Sequence, residues 1–266
     1  MQIFMFHLMP WAHLPDSHQG PAWVTCSNRY YDGVRGGALY NRYLDELIRA
    51  EHLGFDGVCV NEHHQNAYGT MPSPNLMGAI LPRQTKGVKI AVIGNALPLY
   101  NPVTRVAEEF AMIDVISGDR LIAGLVVGGG PEYYSFSMNP TNARAMFQEG
   151  MDLVLRAWTE PGPFEHYGEF WKLKYVNPWP RPIQKPHPTI WIPGAGSLET
   201  IGGILLKAVG AKKRGDLHLI AAQEHWRAVD RAKAEKQNLS MLPLQGTQGG
   251  KSDHFANGGA VGKQHH

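Results

Sequence analysis

Four short clusters in the 266-residue chain carry residue types able to do chemistry, and each follows an apolar run. The first is Glu62-His63-His64, directly after Gly57-Val58-Cys59-Val60-Asn61. An imidazole titrates near pH ~6.5, so at neutral pH it can give or take a proton or polarise a bound cofactor. Successive side chains on an extended chain point to opposite sides, so one histidine faces a pocket and the other packs behind it. The other reading is a buried, hydrogen-bonded pair without chemistry. A metal site is not expected: zinc needs three or four ligands, and the chain has neither a His-x-His nor a Cys-x-x-Cys pattern.

The remaining clusters are glycine-rich. Gly94-Asn95-Ala96-Leu97-Pro98 reads equally as a simple turn or as a place where backbone approaches a ligand closely. In Val127-Gly128-Gly129-Gly130-Pro131-Glu132, proline at a helix start would turn backbone N–H groups toward an anion, or the segment makes a tight turn. It is neither a P-loop nor a Gly-x-Gly-x-x-Gly. Pro193-Gly194-Ala195-Gly196-Ser197-Leu198-Glu199-Thr200 sets Gly-x-Gly before the good N-cap Ser197, which has the form of a phosphate cradle. Glu199 stands where a Rossmann fingerprint needs Gly or Ala, which argues against NAD there. A histidine and two anion-binding turns at successive strand ends together describe a phosphate-bearing cofactor.

The elements that must position these clusters alternate. Residues 2–8 read as a strand and 10–39 as a long functional loop. Residues 40–53 have helical spacing closed by Gly54, and 57–61 and 89–93 are strands. A helix over 103–116 turns Val106, Phe110, Ile113 and Val115 inward. Residues 121–127 form a strand, 143–158 a helix, 164–176 a hairpin and 189–192 a fifth strand. Residues 74–86 are the weak element, because Pro82 would interrupt a helix at a cost of about 3 kcal/mol. Apolar strands alternating with helices imply a parallel sheet, and chemistry in such folds collects at the carboxyl ends of strands. Doubly wound sheet and closed barrel share the pattern.

Composition splits at residue 200. Residues 1–200 hold 15 Lys/Arg and 18 Asp/Glu, and residues 201–266 hold 10 and 5. Of 26 aromatic residues only Trp226 and Phe255 lie in the last segment, and of 19 prolines only Pro243. The reading is therefore an aromatic-rich α/β body over 1–200, a divergent α/β segment over 201–240 and a disordered tail over 241–266. No apolar run reaches the roughly 18 residues of a membrane helix, and the amino terminus lacks the features of a secretory signal. The two cysteines, Cys26 and Cys59, cannot form a disulfide framework, so a cytoplasmic protein is expected. No stretch interleaves basic and aromatic residues, so nucleic acid is not an expected partner.

Three segments in order carry a resemblance: Gly54-Phe55-Asp56-Gly57 with Asn61-Glu62-His63-His64, Ser117-Gly118-Asp119-Arg120-Leu121 with Gly124-Leu125-Val126-Val127-Gly128, and Trp191-Ile192-Pro193 running through Thr200. They resemble the luciferase-like family of flavin-dependent oxidoreductases over residues 1 to about 200. The resemblance implies a (β/α)8 TIM-type barrel, here incomplete or altered after the fifth strand. It also implies a homodimer that binds reduced FMN or, in one branch, a deazaflavin. The family histidine falls on His63. Phosphate contacts fall on Val127, Gly128, Gly129, Ala195, Gly196 and Ser197. A non-proline cis peptide beneath the flavin ring falls near Ile93-Gly94-Asn95, which places Gly94 and Asn95 against the cofactor. Val127 stands where bacterial luciferase has a phosphate-gripping arginine, so the phosphate is expected to lean on backbone amides and Ser197.

The implied activity is a monooxygenase that takes reduced FMN from a separate flavin reductase and oxygenates a small organic substrate. The alternatives are a deazaflavin-dependent dehydrogenase of the same fold, and a truncated non-catalytic flavin-binding or assembly protein. Trp11, Trp23, Tyr30 and Tyr31 in the first loop either cover the pocket or pack at the barrel rim.

Overall fold

The structure, a computed structural model, describes residues 1–193. The expectations for 201–240 and 241–266, and for Ala195, Gly196 and Ser197, fall outside the described residues. Five strands form one all-parallel sheet: β1 (Phe4–His7), β2 (Gly57–Val60), β3 (Lys89–Ala96), β4 (Leu121–Val126) and β7 (Thr189–Trp191), side by side in that order. Between β4 and β7 the chain makes an antiparallel hairpin of β5 (Phe164–Tyr167) and β6 (Lys172–Val176). The helices are α1 (Gly33–His52), α2 (Pro74–Gln84), α3 (Thr104–Ser117), the short α4 (Gly130–Ser135) and α5 (Ala143–Thr159).

Side-chain alternation along the strands separates two cores. Val58 and Val60 of β2, Ile90 and Val92 of β3, and Leu121, Ala123 and Leu125 of β4 pack with buried residues of α1, α2, α3 and α5. The intervening residues Cys59, Ala91 and Ile122 form a second cluster with Phe4, Ile93 and Trp191, all from strands. The Phe4 and Trp191 rings meet with centroids 5.0 Å apart, although β1 and β7 stand at opposite ends of the sheet order. Helices on one face and a concave, strand-lined interior on the other are the geometry of a barrel wall. A doubly wound sheet would carry helices on both faces.

Several local expectations are corrected. Helix α1 begins at Gly33, seven residues earlier than its apolar spacing indicates, because the Asp32 side chain caps it by accepting from the Arg35 amide at 2.8 Å. Residues 74–84 are helical despite Pro82. Pro74 sits in the first turn, where its missing N–H costs nothing, and Pro82 lies in the last turn. At this helix end the guanidinium of Arg120 takes the open carbonyls of Pro82 and Thr85 at 3.1 and 3.2 Å. Val115 is exposed. Helix α3 carries two apolar stripes, one inward through Val106, Phe110 and Ile113 and one outward through Met112, Val115 and Ile116.

Two carboxylates, the buried Asp114 and the half-buried Glu149, fix the long β4–β7 crossover. Asp114 of α3 accepts from the amides of Ile183 and Gln184 at 2.7 and 3.0 Å and from the Gln184 side chain at 2.6 Å. Glu149 of α5 accepts from the amides of Glu169, Phe170 and Trp171, which ties down the hairpin turn.

Candidate functional site

The carboxyl ends of β2, β3 and β4 converge on a cavity of about 690 Å³ whose lining includes Asn61, His63, Gly94, Val127, Gly128 and Gly129. That volume lies within the range typical of small-molecule and cofactor sites. Strand β3 shifts its pairing with β4 between Val92 and Asn95, and the Ile93–Gly94 peptide in this irregular stretch is cis. A Cβ on Gly94 would stand 2.7 Å from the carbonyl oxygen of Gly124, so only glycine lets the two strands approach this closely. Gly128 has φ of +94°, a left-handed conformation that side chains resist, and the preceding carbonyl of Val127 is held by the Tyr133 hydroxyl at 3.0 Å. The glycine cluster therefore builds a fixed turn at the cavity wall.

His63 Nδ1 lies 2.9 Å from Glu132 Oε1, and both side chains are largely buried. Burial opposes the charge on Glu132. The hydrogen bond from His63, a backbone N–H and the nearby imidazoles outweigh it and hold the carboxyl below the usual carboxylate range. Glu132 is thus ionised at neutral pH and can only accept, so Nδ1 carries the proton. In the neutral imidazole, Nε2 is then the acceptor, and among the described residues it makes no hydrogen bond. Trp23 and Tyr68, stacked with centroids 4.0 Å apart, both meet the His63 ring edge-on.

His64 turns the other way. Its Nε2 pairs with Glu62 Oε1 at 2.6 Å. Glu62 Oε2 also accepts from the Ala96 amide at 3.1 Å, the Tyr100 hydroxyl at 3.0 Å and the Asn95 amide group at 3.4 Å. Burial, reinforced by Glu62, pushes the Tyr100 hydroxyl far above the ordinary tyrosine range, so it stays protonated and donates. One histidine facing a pocket with the other packed behind it is what the extended chain dictates.

The placement of Asn95 requires a correction. Its side chain is fully buried in the Glu62 network, with its Oδ1 accepting from Asn75 at 3.0 Å, and it does not line the cavity. Its neighbours Gly94 and Ala96 do, as strand alternation requires. Two residues without a role in the sequence reading enter the site. Glu132 was visible there only as the residue after Gly-Gly-Gly-Pro, an acid in the first turn of a helix. Arg144, near the start of α5, also lines the cavity and adds a cationic side chain to it. No periodicity pointed to it, because α4 and the turn after it must fold before residue 144 reaches the strand ends.

Two features of the cavity fit a flavin phosphate, the fixed Gly128 turn and the Arg144 cation, while Asn61 fits an N–H of the ring system rather than the phosphate. The Asn61 Oδ1 atom is buried without a hydrogen-bond partner, an arrangement that normally costs stability unless a ligand donates to it. A second cavity, of about 510 Å³, lies under the first loop and is walled by Trp11, Tyr30, Tyr31, Tyr40 and His63 among others. Trp11 thus serves as core and as wall, while Trp23 belongs to the strand-end cavity.

Among known proteins, the family model of luciferase-like monooxygenases matches residues 7–202. The oxygenase component of the flavin-dependent trigonelline monooxygenase from Acinetobacter baylyi is 30% identical over 161 residues, 58% of this chain and 43% of that protein. The crystal structure of monooxygenase RslO1 from Streptomyces bottropensis superposes with a TM-score of 0.61 at 27% identity, covering 78% of this chain and 57% of that one. The oxygenating constituent of 3,6-diketocamphane monooxygenase from Pseudomonas putida, solved with FMN, shares the fold at 21% identity with a TM-score of 0.54, over 72% and 51% of the two chains. The chain spans about half the length of the relatives it matches.

Proposed function

The chain belongs to the luciferase-like monooxygenase family, and we propose that it is the oxygenase component of a two-component flavin system. In this reading a separate reductase supplies reduced FMN, which when bound provides the oxygen-activating chemistry, and a small organic substrate is oxygenated. The observation that carries the reading is the His63–Glu132 pair on the lip of a cavity that also presents a fixed glycine turn and Arg144.

Arg144 and the backbone at Val127, Gly128 and Gly129 would hold the phosphate, with Ala195, Gly196 and Ser197 proposed to complete that contact. Gly94 leaves room beneath the ring system. Glu132 fixes the His63 tautomer, so that Nε2 takes or returns a proton at the reacting end of the cavity. Trp23, stacked on Tyr68, shields that imidazole from water.

Titration of the full chain with FMN and with a deazaflavin tests the cofactor directly. The reading expects micromolar FMN binding; preference for the deazaflavin would reassign the protein to hydride transfer, and binding of neither would remove the cofactor assignment. Replacing His63 with Ala is expected to lower turnover by about 10²–10⁴-fold, the usual share of a positioned acid–base group, while FMN affinity changes much less. Unchanged turnover would refute the role given to His63.

The outward stripe of α3 (Met112, Val115, Ile116), together with exposed Leu76 and Ile80 of α2, supports pairing with a second copy. Sedimentation should then report a dimer that charged substitutions at Val115 and Ile116 dissociate. No described helix is long and apolar enough to cross a membrane, and Cys26 and Cys59 are both free. We accordingly place the protein in a reducing, cytoplasmic setting.

A further inference from the structure

We propose that the cavity under the first loop is the organic substrate's own compartment, and that it takes an uncharged, flat ring compound bearing one hydrogen-bond acceptor. The proposal rests on the flavin reading of the neighbouring cavity for its catalytic meaning, but not for binding itself.

Charge is the first observation. Among the residues lining the 510 Å³ cavity none is Lys, Arg, Asp or Glu, whereas the strand-end cavity is lined by Glu62, Glu132 and Arg144. A carboxylate, phosphate or ammonium brought into the first-loop cavity would lose water without gaining a counter-charge. The walls are aromatic, with Trp11, Tyr30, Tyr31 and Tyr40 contributing. Cation–π recognition is not favoured, because the Tyr30 ring already carries the Arg29 guanidinium 4.7 Å from its centroid.

The polar groups of the wall are the second observation. Most are consumed within the protein. Tyr40 donates its hydroxyl to the Thr70 carbonyl, and the Thr70 hydroxyl donates to the Met9 carbonyl at 2.7 Å. Gln65 donates to Ser135 at 3.2 Å, and Asn66 donates to the His64 carbonyl at 2.7 Å. Among the side-chain donors of this wall that are fully buried, Trp11 is the one left without an acceptor: the residue is 6% exposed and its Nε1–H has no partner. A buried donor of this kind is satisfied by a carbonyl or ether oxygen arriving with the ligand. Recognition then combines ring-on-ring contact with a hydrogen bond from the buried Trp11 donor.

Position is the third. His63 alone among the described residues lines both cavities. A compound in the first-loop cavity and a flavin at the strand ends would meet across one imidazole, which is where a proton has to move.

The test is calorimetric titration of the full chain with three probes sharing one ring system: methyl naphthyl ketone, naphthoate and naphthylmethylammonium. The ketone should bind at least tenfold more tightly than either ion, and its affinity should not depend on salt. Trp11→Phe, which keeps an aromatic ring and removes the N–H, should weaken ketone binding about tenfold while leaving the ammonium, which has no acceptor, unaffected. Equal or tighter binding of either ion overturns the proposal, as does a Trp11→Phe variant that binds the ketone like the parent. FMN titrated into the same protein separates the two readings. Ketone binding without FMN binding sinks the flavin assignment and leaves this compartment standing; FMN binding without ketone binding does the reverse.

Discussion

His63 and His64 are adjacent in the chain, and each is paired with a glutamate, yet the two pairs sit in different surroundings. Glu62 receives His64 together with the Ala96 amide, the Tyr100 hydroxyl and the Asn95 amide group, so its oxygens are fully engaged beneath the sheet ends. Glu132 receives His63, whose other ring nitrogen is left facing the cavities. Identical residue types become scaffold or chemistry according to what else their partners bind. A pair saturated by structural donors holds strands in place, and a pair with one open nitrogen can exchange a proton.

The comparison can be broken experimentally. The largest effect is expected from Glu62→Ala, which strips the acceptor from four donors at once. Breaking a buried pair of this kind costs about 3–5 kcal/mol, and urea unfolding should show the midpoint falling accordingly. A loss below about 1 kcal/mol would mean that the network is not structural.

Glu132→Gln should lower neutral-pH stability by less than Glu62→Ala does, but reduce turnover by roughly 10–100-fold, the effect typical of losing a partner that orients a functional histidine. The pH dependence sharpens this. Because the folded-state pKa of Glu132 is lowered, the pair's stabilisation is present above the ordinary carboxylate value of about 4.3 and is lost as pH falls through the folded value. Stability of the parent protein should therefore decline in acid by a component that Glu132→Gln lacks; parallel curves for the two would contradict the pairing.

Tyr100→Phe removes a single donor from the saturated pair and should cost only about 1 kcal/mol, with no change in FMN affinity. A change in FMN affinity here would show that the Tyr100 hydroxyl also sets the position of Glu62 at the cavity wall.

The strands, the strand-end glycines and the outward-facing histidine were legible because they depend on local pattern: apolar runs, alternation, and residues that end them. What depended on tertiary placement was not. Gly33, Gly36 and Gly37 hid the first turns of α1 until Asp32 was seen to cap them. Pro82 hid α2 because a proline is tolerated in a last turn, and where that turn ends is fixed by packing and by Arg120, 38 residues away. Asn95 looked like a cofactor contact because it adjoins Gly94, but strand alternation sends its side chain to the opposite face. Glu132 and Arg144 became visible only when α4 and α5 folded back over the strand ends, and the first-loop cavity exists only where residues 11–40 meet 63–72.

The contact between Phe4 and Trp191 carries a last consequence. With rings from the outermost described strands already touching, and Cys59, Ala91 and Ile122 filled in behind them, the hollow of the arc is plugged. A ligand has no room there, so binding is confined to the rim. Persistence of the scaffold and novelty of the ligand are thereby assigned to separate territories. The loops after β2 and β4 can be rewritten for a new compound while the plug, which meets the cavity only at Ile93, stays the same.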